Sequence, residues 1–218
     1  MDWKKQSSKN GLLYVILDKE VIDKAGLDIF SLADKLAHFG VDILQLRTKG
    51  IPDKEYLSIA CKLSKIIRKR KKLFIVNDRA DIAYLSKASG LHLGEYDISS
   101  KQARKIVGKQ AIIGKTIHCL KELERLNVKE DKVEYICCGP VFKTKTKPDL
   151  KALTSEGLKA LTCKSKKLIF AIGGINQYNI ESLLKSGIKN IAVCRGIVLE
   201  KNLKTTVKRY KKCLNRAS

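Results

Sequence analysis

A single (β/α)8 barrel of the TIM type, in the α/β class, is the fold this sequence predicts, on three observations. Eight apolar runs of strand length recur along the chain, amphipathic stretches with helical spacing fill the gaps, and no Pro/Gly/Ser-rich linker divides it. The runs are Leu12–Leu17, Asp42–Leu46, Leu73–Asn77, Gly90–Gly94, Ala111–Thr116, Tyr135–Phe142, Leu168–Gly174 and Asn190–Arg195. Each is too short for a buried helix and is bounded by polar or turn residues.

The helical stretches follow in order. Ser31–His38 comes after the first strand, and Asp53–Lys69 after the second. The latter puts Tyr56, Leu57, Ala60, Leu63, Ser64 and Ile67 on one face, with Asp53 suited to cap it after Pro52. Asp78–Ser86 is a short helix, and Ile98–Val107, Leu120–Leu126, Thr154–Leu161 and Tyr178–Lys185 occupy the next gaps. Val207–Leu214 closes the chain. The same alternation also admits a doubly wound open sheet. Length permits one domain or two, and the absence of a linker favours one barrel over 1–218, with 1–10 a flexible or peripheral extension.

The charge balance is extreme: 45 Lys+Arg against 22 Asp+Glu, a net +23. Such a surplus invites nucleic acid, an anionic membrane or an anionic metabolite. The densest run, Lys65–Lys72, closes a helical pattern, where cations complement the negative end of the helix dipole. In a barrel that end lies opposite the active-site face. Aromatics are only 6% of the chain, too few for an aromatic-rich basic platform that reads nucleic acid.

Seven cysteines, an odd number without a C-x-x-C pair, make no zinc or redox motif. Cys61, Cys137, Cys138, Cys163 and Cys194 lie in apolar runs and read as small core residues in a reducing compartment. The N-terminus Met1-Asp2-Trp3-Lys4-Lys5 has no apolar signal core, and no run is long enough to span a bilayer. The expected location is cytoplasmic, without a membrane partner.

A barrel places its chemistry at the C-terminal ends of the strands. Collecting those ends gives Gln45, Arg47 and Lys49; Asn77 and Asp78; Glu95 and Asp97; Thr116 and His118; Thr144, Thr146 and Lys147; Gly173-Gly174; and Arg195-Gly196. Thr144 and Thr146 are two apart, so extended backbone puts both hydroxyls on one side, and Lys147 adds a mobile cation. Carboxylates for a metal, with cations and neutral donors for phosphate oxygens, are what a pyrophosphate with Mg2+ requires. Single residues have simpler uses. Asp78 and Asp97 each suit the cap of the helix that follows, His92 a hydrogen-bonded core position, and His118 the start of a helix.

Six segments in order carry a resemblance: Q-L-R-T-K (45–49), N-D-R-A-D-I-A (77–83), G-L-H-L-G-E-Y-D (90–97), I-G-K-T-I-H (113–118), G-P-V-F-K-T-K-T-K (139–147) and A-I-G-G-I (171–175). Together they resemble the thiamine-phosphate synthase family from about Leu12 to Val198. That family joins a hydroxymethylpyrimidine pyrophosphate to a thiazole phosphate on a TIM barrel and releases pyrophosphate. The resemblance implies Mg2+ held by Asp78 and Asp97. It also implies a pyrimidine pyrophosphate bound by Gln45, Arg47, Lys49, Asn77, Thr116 and Lys147, with Arg47, Lys49 and Lys147 serving the chemical step. Thr144, Thr146, Gly174, Cys194 and Arg195 would receive the thiazole phosphate. The implied partners are small phosphorylated substrates and no specific nucleic acid, on a monomer or homodimer.

The chain departs from the family's pattern at three places. Thr116 stands where serine is usual, Cys194-Arg195 where an aliphatic residue and serine are usual, and Glu95 where glutamine is common. Two other readings stay open: a thiazole tautomerase on the same fold, which shares the region of His118 and Gly173-Gly174, and a basic nucleic-acid-binding barrel.

Overall fold

The computed structural model describes residues 10–128, 132–144 and 151–216. Eight parallel strands close in sequence order: β1 (Leu13–Asp18), β2 (Ile43–Arg47), β3 (Leu73–Asn77), β4 (Gly90–Leu93), β5 (Ile112–Ile117), β6 (Tyr135–Cys138), β7 (Leu168–Ile172) and β8 (Asn190–Val193). Closure is by β1 against β8, with Leu13, Tyr14 and Val15 opposite Ile191, Ala192 and Val193. An open sheet would leave those two edges unpaired, so the doubly wound alternative is excluded.

Ten helices among the described residues surround the strands: α1 (Lys19–Lys24), α2 (Ile29–Phe39), α3 (Asp53–Lys69), α4 (Ala80–Leu85), α5 (Ser100–Val107), α6 (Leu120–Val128), α7 (Ser155–Lys164), α8 (Ile180–Leu184), α9 (Arg195–Val198) and α10 (Leu203–Arg216). Their starts are chemically marked. Asp28 accepts the Ser31 amide at 2.7 Å before α2, and Ser99 and Gln102 form a reciprocal capping box before α5. The helix expected to be capped by Asp53 instead has Pro52 at its N-cap without a side-chain bond. Asp53 is already the first helical residue, where its charge complements the dipole and pairs with Arg79 at 2.5 Å.

Two hydrophobic layers follow from the strand alternation. One lies between the sheet and the helices and includes Val15, Leu44, Val76, Leu91 and Ile136. The other fills the barrel with Leu12, Tyr14, Ile43, Ile75, Tyr135, Cys137, Phe170 and Ala192. Tyr14, Tyr135 and Phe170 meet edge to face with ring centroids 5.4–5.9 Å apart. The interior has room for Tyr135 because residue 114 is glycine: a Cβ there would lie 2.0 Å from the Tyr135 ring.

Other boundaries differ from expectation for local reasons. β6 ends at Cys138 rather than Phe142, because Pro140 has no N–H for the ladder. The amides of Val141 and Phe142 bond instead to the carbonyls of Ile172 and Gly173 at 2.9 and 3.1 Å. Helices α1 and α9, six and four residues long, are too short to show periodicity and were not expected. Cys163 is exposed, not a core residue, while Cys137 and Cys138 are buried; all seven cysteines are unpaired. The run Lys65–Lys72 does close α3 as expected, at the N-terminal face of β3. Residues 1–9 lie outside the described residues, so the expected N-terminal extension is not described.

Candidate active site

The acidic pair sits at the ends of β3 and the β4 loop. Asp78 adopts φ 63°, a left-handed conformation in which Asp and Asn are the commonest non-glycine residues. Its N–H donates to the His92 carbonyl at 2.8 Å, which fixes it to the neighbouring strand. Asp97 is held from its own loop, where its Oδ2 accepts the Gly94 N–H at 2.6 Å. Neither residue caps a helix: the N-cap positions of α4 and α5 are Arg79 and Ser99. Instead their carboxyls meet. Burial first, and then the hydrogen bond and charge of Asp97, raise Asp78 to about 6, while Arg47 and Lys49 pull it back down. Four of the expected residues therefore share one electrostatic field.

Arg47 is fixed by a residue that the sequence reading missed. Asp18 ends β1 in register with Arg47 at the end of β2, and the two form a close ion pair. Asp18 is 3% exposed, and its Oδ1 also accepts the Val21 amide at 3.3 Å to cap α1. It occupies the same strand-end position as the other site residues, one place beyond the expected first strand, so that position was the available signal. Lys49 is exposed, Asn77 is buried, and Glu95 is exposed.

A line of polar side chains crosses the barrel beneath this mouth. The amide of Gln45 donates to the Tyr14 hydroxyl at 2.7 Å, and that hydroxyl lies 3.0 Å from the Tyr135 hydroxyl. Tyr135 reaches His92 Nδ1 at 3.1 Å, and His92 Nε2 reaches Thr116 Oγ1 at 2.9 Å. With Gln45 as first donor, one consistent direction runs through the set and ends with His92 Nε2–H donating to Thr116. Burial pushes Tyr14 and Tyr135 well above the usual tyrosine range, so both stay neutral. His92 is the hydrogen-bonded core histidine expected. Gln45 and Thr116 were legible from the sequence; Tyr14 and Tyr135 lay hidden in apolar runs.

Across the mouth, three loops lock together. Gly173 and Gly174 have φ 101° and 67°, and a Cβ at 174 would lie 2.7 Å from the Lys143 carbonyl. The β7 loop thus packs directly on the β6 loop, with Asn179 holding the Gly174 carbonyl at 2.9 Å. Gly196 brings in the β8 loop, where a Cβ would lie 2.4 Å from the Ile175 carbonyl. His118 joins the same frame: its Nδ1–H donates to the Gly139 carbonyl at 2.6 Å. Cys194, at the N-cap of α9, has its thiol pushed up to about 12 by burial, and Arg195 is exposed. Thr144 is half-buried at the edge of the described loop; Thr146 and Lys147 lie outside the described residues.

Gly174→Ala tests this frame. The substitution meets backbone at both Phe142 and Lys143, in a conformation that L side chains rarely adopt. We expect the Michaelis constant for an anion held by these loops to rise at least about tenfold. An unchanged constant would show that the loop junction does not form the anion seat.

The family model described as thiamine monophosphate synthase matches residues 13–197. A thiamine-phosphate synthase from Persephonella marina is 36% identical over 199 residues, covering 91% of this chain and 93% of the relative. One from a strain of Prochlorococcus marinus is 40% identical over 159 residues; the match covers 73% of this chain but 45% of that longer relative. The solved thiamine phosphate pyrophosphorylase from Pyrococcus furiosus superposes with a TM-score of 0.83 at 27% identity, covering 94% of this chain and 96% of that one. By sequence and by fold, this chain belongs to the thiamine monophosphate synthase family.

Proposed function

We propose that the chain acts as a thiamine-phosphate synthase, joining a hydroxymethylpyrimidine pyrophosphate to a thiazole phosphate, or its carboxylated form, with release of pyrophosphate and, from the carboxylated form, of carbon dioxide. The observation that carries this reading is the touching pair Asp78 and Asp97 in the field of Arg47 and Lys49. Mg2+ is commonly held by one or two carboxylates and completes its shell with water and substrate phosphate. The pair fits that habit, and among the described residues no cluster of three or more His, Cys, Asp or Glu forms a cage of its own. When bound, Mg2+ would neutralise part of the charge on the leaving pyrophosphate.

The chain's own residues do the rest. The C–O bond to pyrophosphate breaks with its electron pair leaving on oxygen, and the thiazole nitrogen then forms the C–N bond to the methylene carbon. No protein nucleophile is required. Arg47, oriented by Asp18, and Lys49 receive the departing charge, while Asn77 and Thr116 supply neutral donors. Lys147, assigned by the resemblance, adds a further cation. Gln45, held by Tyr14, faces the pyrimidine, and the buried polar line beneath it excludes water from the cationic intermediate. The interlocked loops at Gly174, Cys194 and Arg195, with Thr144 and Thr146, take the thiazole phosphate. An isomerisation would have no task for the acid pair, which favours the synthase over the tautomerase. Small phosphorylated molecules are then the partners. Among the described residues no helix is long and apolar enough to cross a membrane. The unpaired cysteines suit a reducing compartment such as the cytoplasm. Incubating the protein with both substrates and Mg2+ should yield thiamine phosphate and pyrophosphate in equal amounts; no product from either thiazole form would refute the reading.

Two results follow from charge. In the metal-free chain Asp78 takes up its proton at about 6, above its ordinary value of 3.8. The folded state therefore holds more protons than the unfolded state between those values, and this group's contribution to stability falls as pH rises through that window. A divalent cation relieves the repulsion only once the pair is ionised. At tenfold excess over its Kd, Mg2+ should stabilise the protein by about 1.4 kcal/mol at pH 7.5, a Tm rise of roughly 3–5 °C, with little rise at pH 5. Equal shifts at both pH values, read by differential scanning calorimetry, would place the cation elsewhere. For Arg195, exposed at the start of α9, Arg195→Ser should weaken thiazole phosphate binding by about 1–3 kcal/mol and leave pyrimidine pyrophosphate binding unchanged. Calorimetric titration giving equal thiazole phosphate affinity in the two proteins would remove Arg195 from that subsite.

A further inference from the structure

The net charge of +23 is not accounted for by the site just described, and the opposite end of the barrel shows where part of it goes. Each turn entering β3 to β8 carries a lysine: Lys72, Lys87, Lys109, Lys132, Lys167 and Lys189. Two clefts open on this N-terminal rim. One, of about 680 Å3, is lined by Arg104, Lys109, Lys132, Glu134, Lys166 and Lys167. The other, of about 330 Å3, is lined by Tyr84, Lys87, Gln110 and Ala111 among others. The turn at 109–111 contributes to both, so they run on from one another across the entries of β4 to β7.

The cations here differ in their engagements. Arg104 is spent on the framework: it donates to the carbonyls of Gly108 and Lys132 at 3.1 and 2.8 Å, and its Nη2 reaches both carboxylate oxygens of Glu134 at 2.8 and 2.9 Å. Glu134 also accepts the Ile113 N–H at 2.7 Å, so its charge is already matched within the wall. What faces the larger cleft is therefore Lys109, Lys132, Lys166 and Lys167, like charges gathered around one space. Folding gains nothing from that arrangement; an anion would. Beside the smaller cleft Tyr84 is 62% exposed, a large aromatic surface that packing leaves to solvent next to Lys87.

We propose that this rim binds single-stranded nucleic acid without sequence preference, as a second surface independent of synthesis. The entries of β4 to β7 span three inter-strand steps, roughly 15 Å, more than one phosphate or pyrophosphate can cover. Repeating phosphates along the lysines, with a base stacked on Tyr84, match both the length of the groove and its single aromatic. Because the groove lies at the end of the barrel away from the acid pair, occupancy leaves the active site open.

Fluorescence anisotropy of a labelled uridine 12-mer tests this with the intact protein. Replacing Lys109, Lys166 and Lys167 together by Glu should weaken binding at least about 30-fold, and replacing them by Gln should reduce the slope of log K against log salt by about 2. Tyr84→Ala should cost roughly fivefold or more. All variants should form thiamine phosphate at the wild-type rate, which also certifies their folding. Oligonucleotide affinity within twofold of wild type in the Glu variant would overturn the site. So would inorganic polyphosphate of equal length binding as tightly while Tyr84→Ala has no effect, since that would reduce the rim to an ion exchanger.

Discussion

Asp78→Asn should lower turnover about 10²–10³-fold while making the metal-free protein more stable at pH 7. The two effects share one cause. Asp78 and Asp97 repel when ionised, so neutralising one relieves the fold and at the same time removes the anionic seat for a cation. Asparagine tolerates the φ of 63° at this position, so the backbone has no reason to shift. Asp97→Asn should act in the same direction, with its remaining carbonyl oxygen still able to accept the Gly94 N–H. Steady-state kinetics and urea unfolding at pH 7 check the pair of signs. Near-wild-type turnover in both variants at limiting Mg2+ would remove them from the chemistry, and a loss of stability would contradict the repulsion.

The ion pair beneath the site carries the second large effect. Arg47→Met should abolish measurable synthesis and destabilise the fold by about 3–5 kcal/mol, because Asp18 is then left buried without a counter-ion. Adding Asp18→Asn should restore most of the stability, since asparagine can still cap α1 and no charge remains stranded. Activity should not return, because the cation that receives the leaving group is still missing. A double variant as unstable as Arg47→Met would show that the cost lies in lost packing rather than in the stranded carboxylate.

The barrel itself was readable from period alone: strand-length apolar runs and helical spacing each report a burial pattern that the fold must satisfy. The strand ends were readable as well, since a barrel turns sequence position into spatial convergence, and the charges of Arg47, Lys49 and Asp97 all act on Asp78. What the sequence hid was pairing across strands. Asp18 looks like an ordinary strand terminus until the register sets it opposite Arg47. Tyr14 and Tyr135 look like core aromatics until closure brings their hydroxyls within 3.0 Å of each other. The role of Gly114 is visible only as the space taken by a ring from the next strand. Helices α1 and α9 were missed because one turn or so of helix has no period to detect.

Calorimetric titration of pyrophosphate into the protein, with and without Mg2+ at pH 7.5, tests most directly whether the acid pair is the metal-dependent seat of the leaving group. Tight binding should require Mg2+, fall at least about tenfold in Asp78→Asn and in Asp97→Asn, and weaken as the pH drops below about 6. Pyrophosphate binding of equal strength without Mg2+, unaltered by either substitution, would contradict the account.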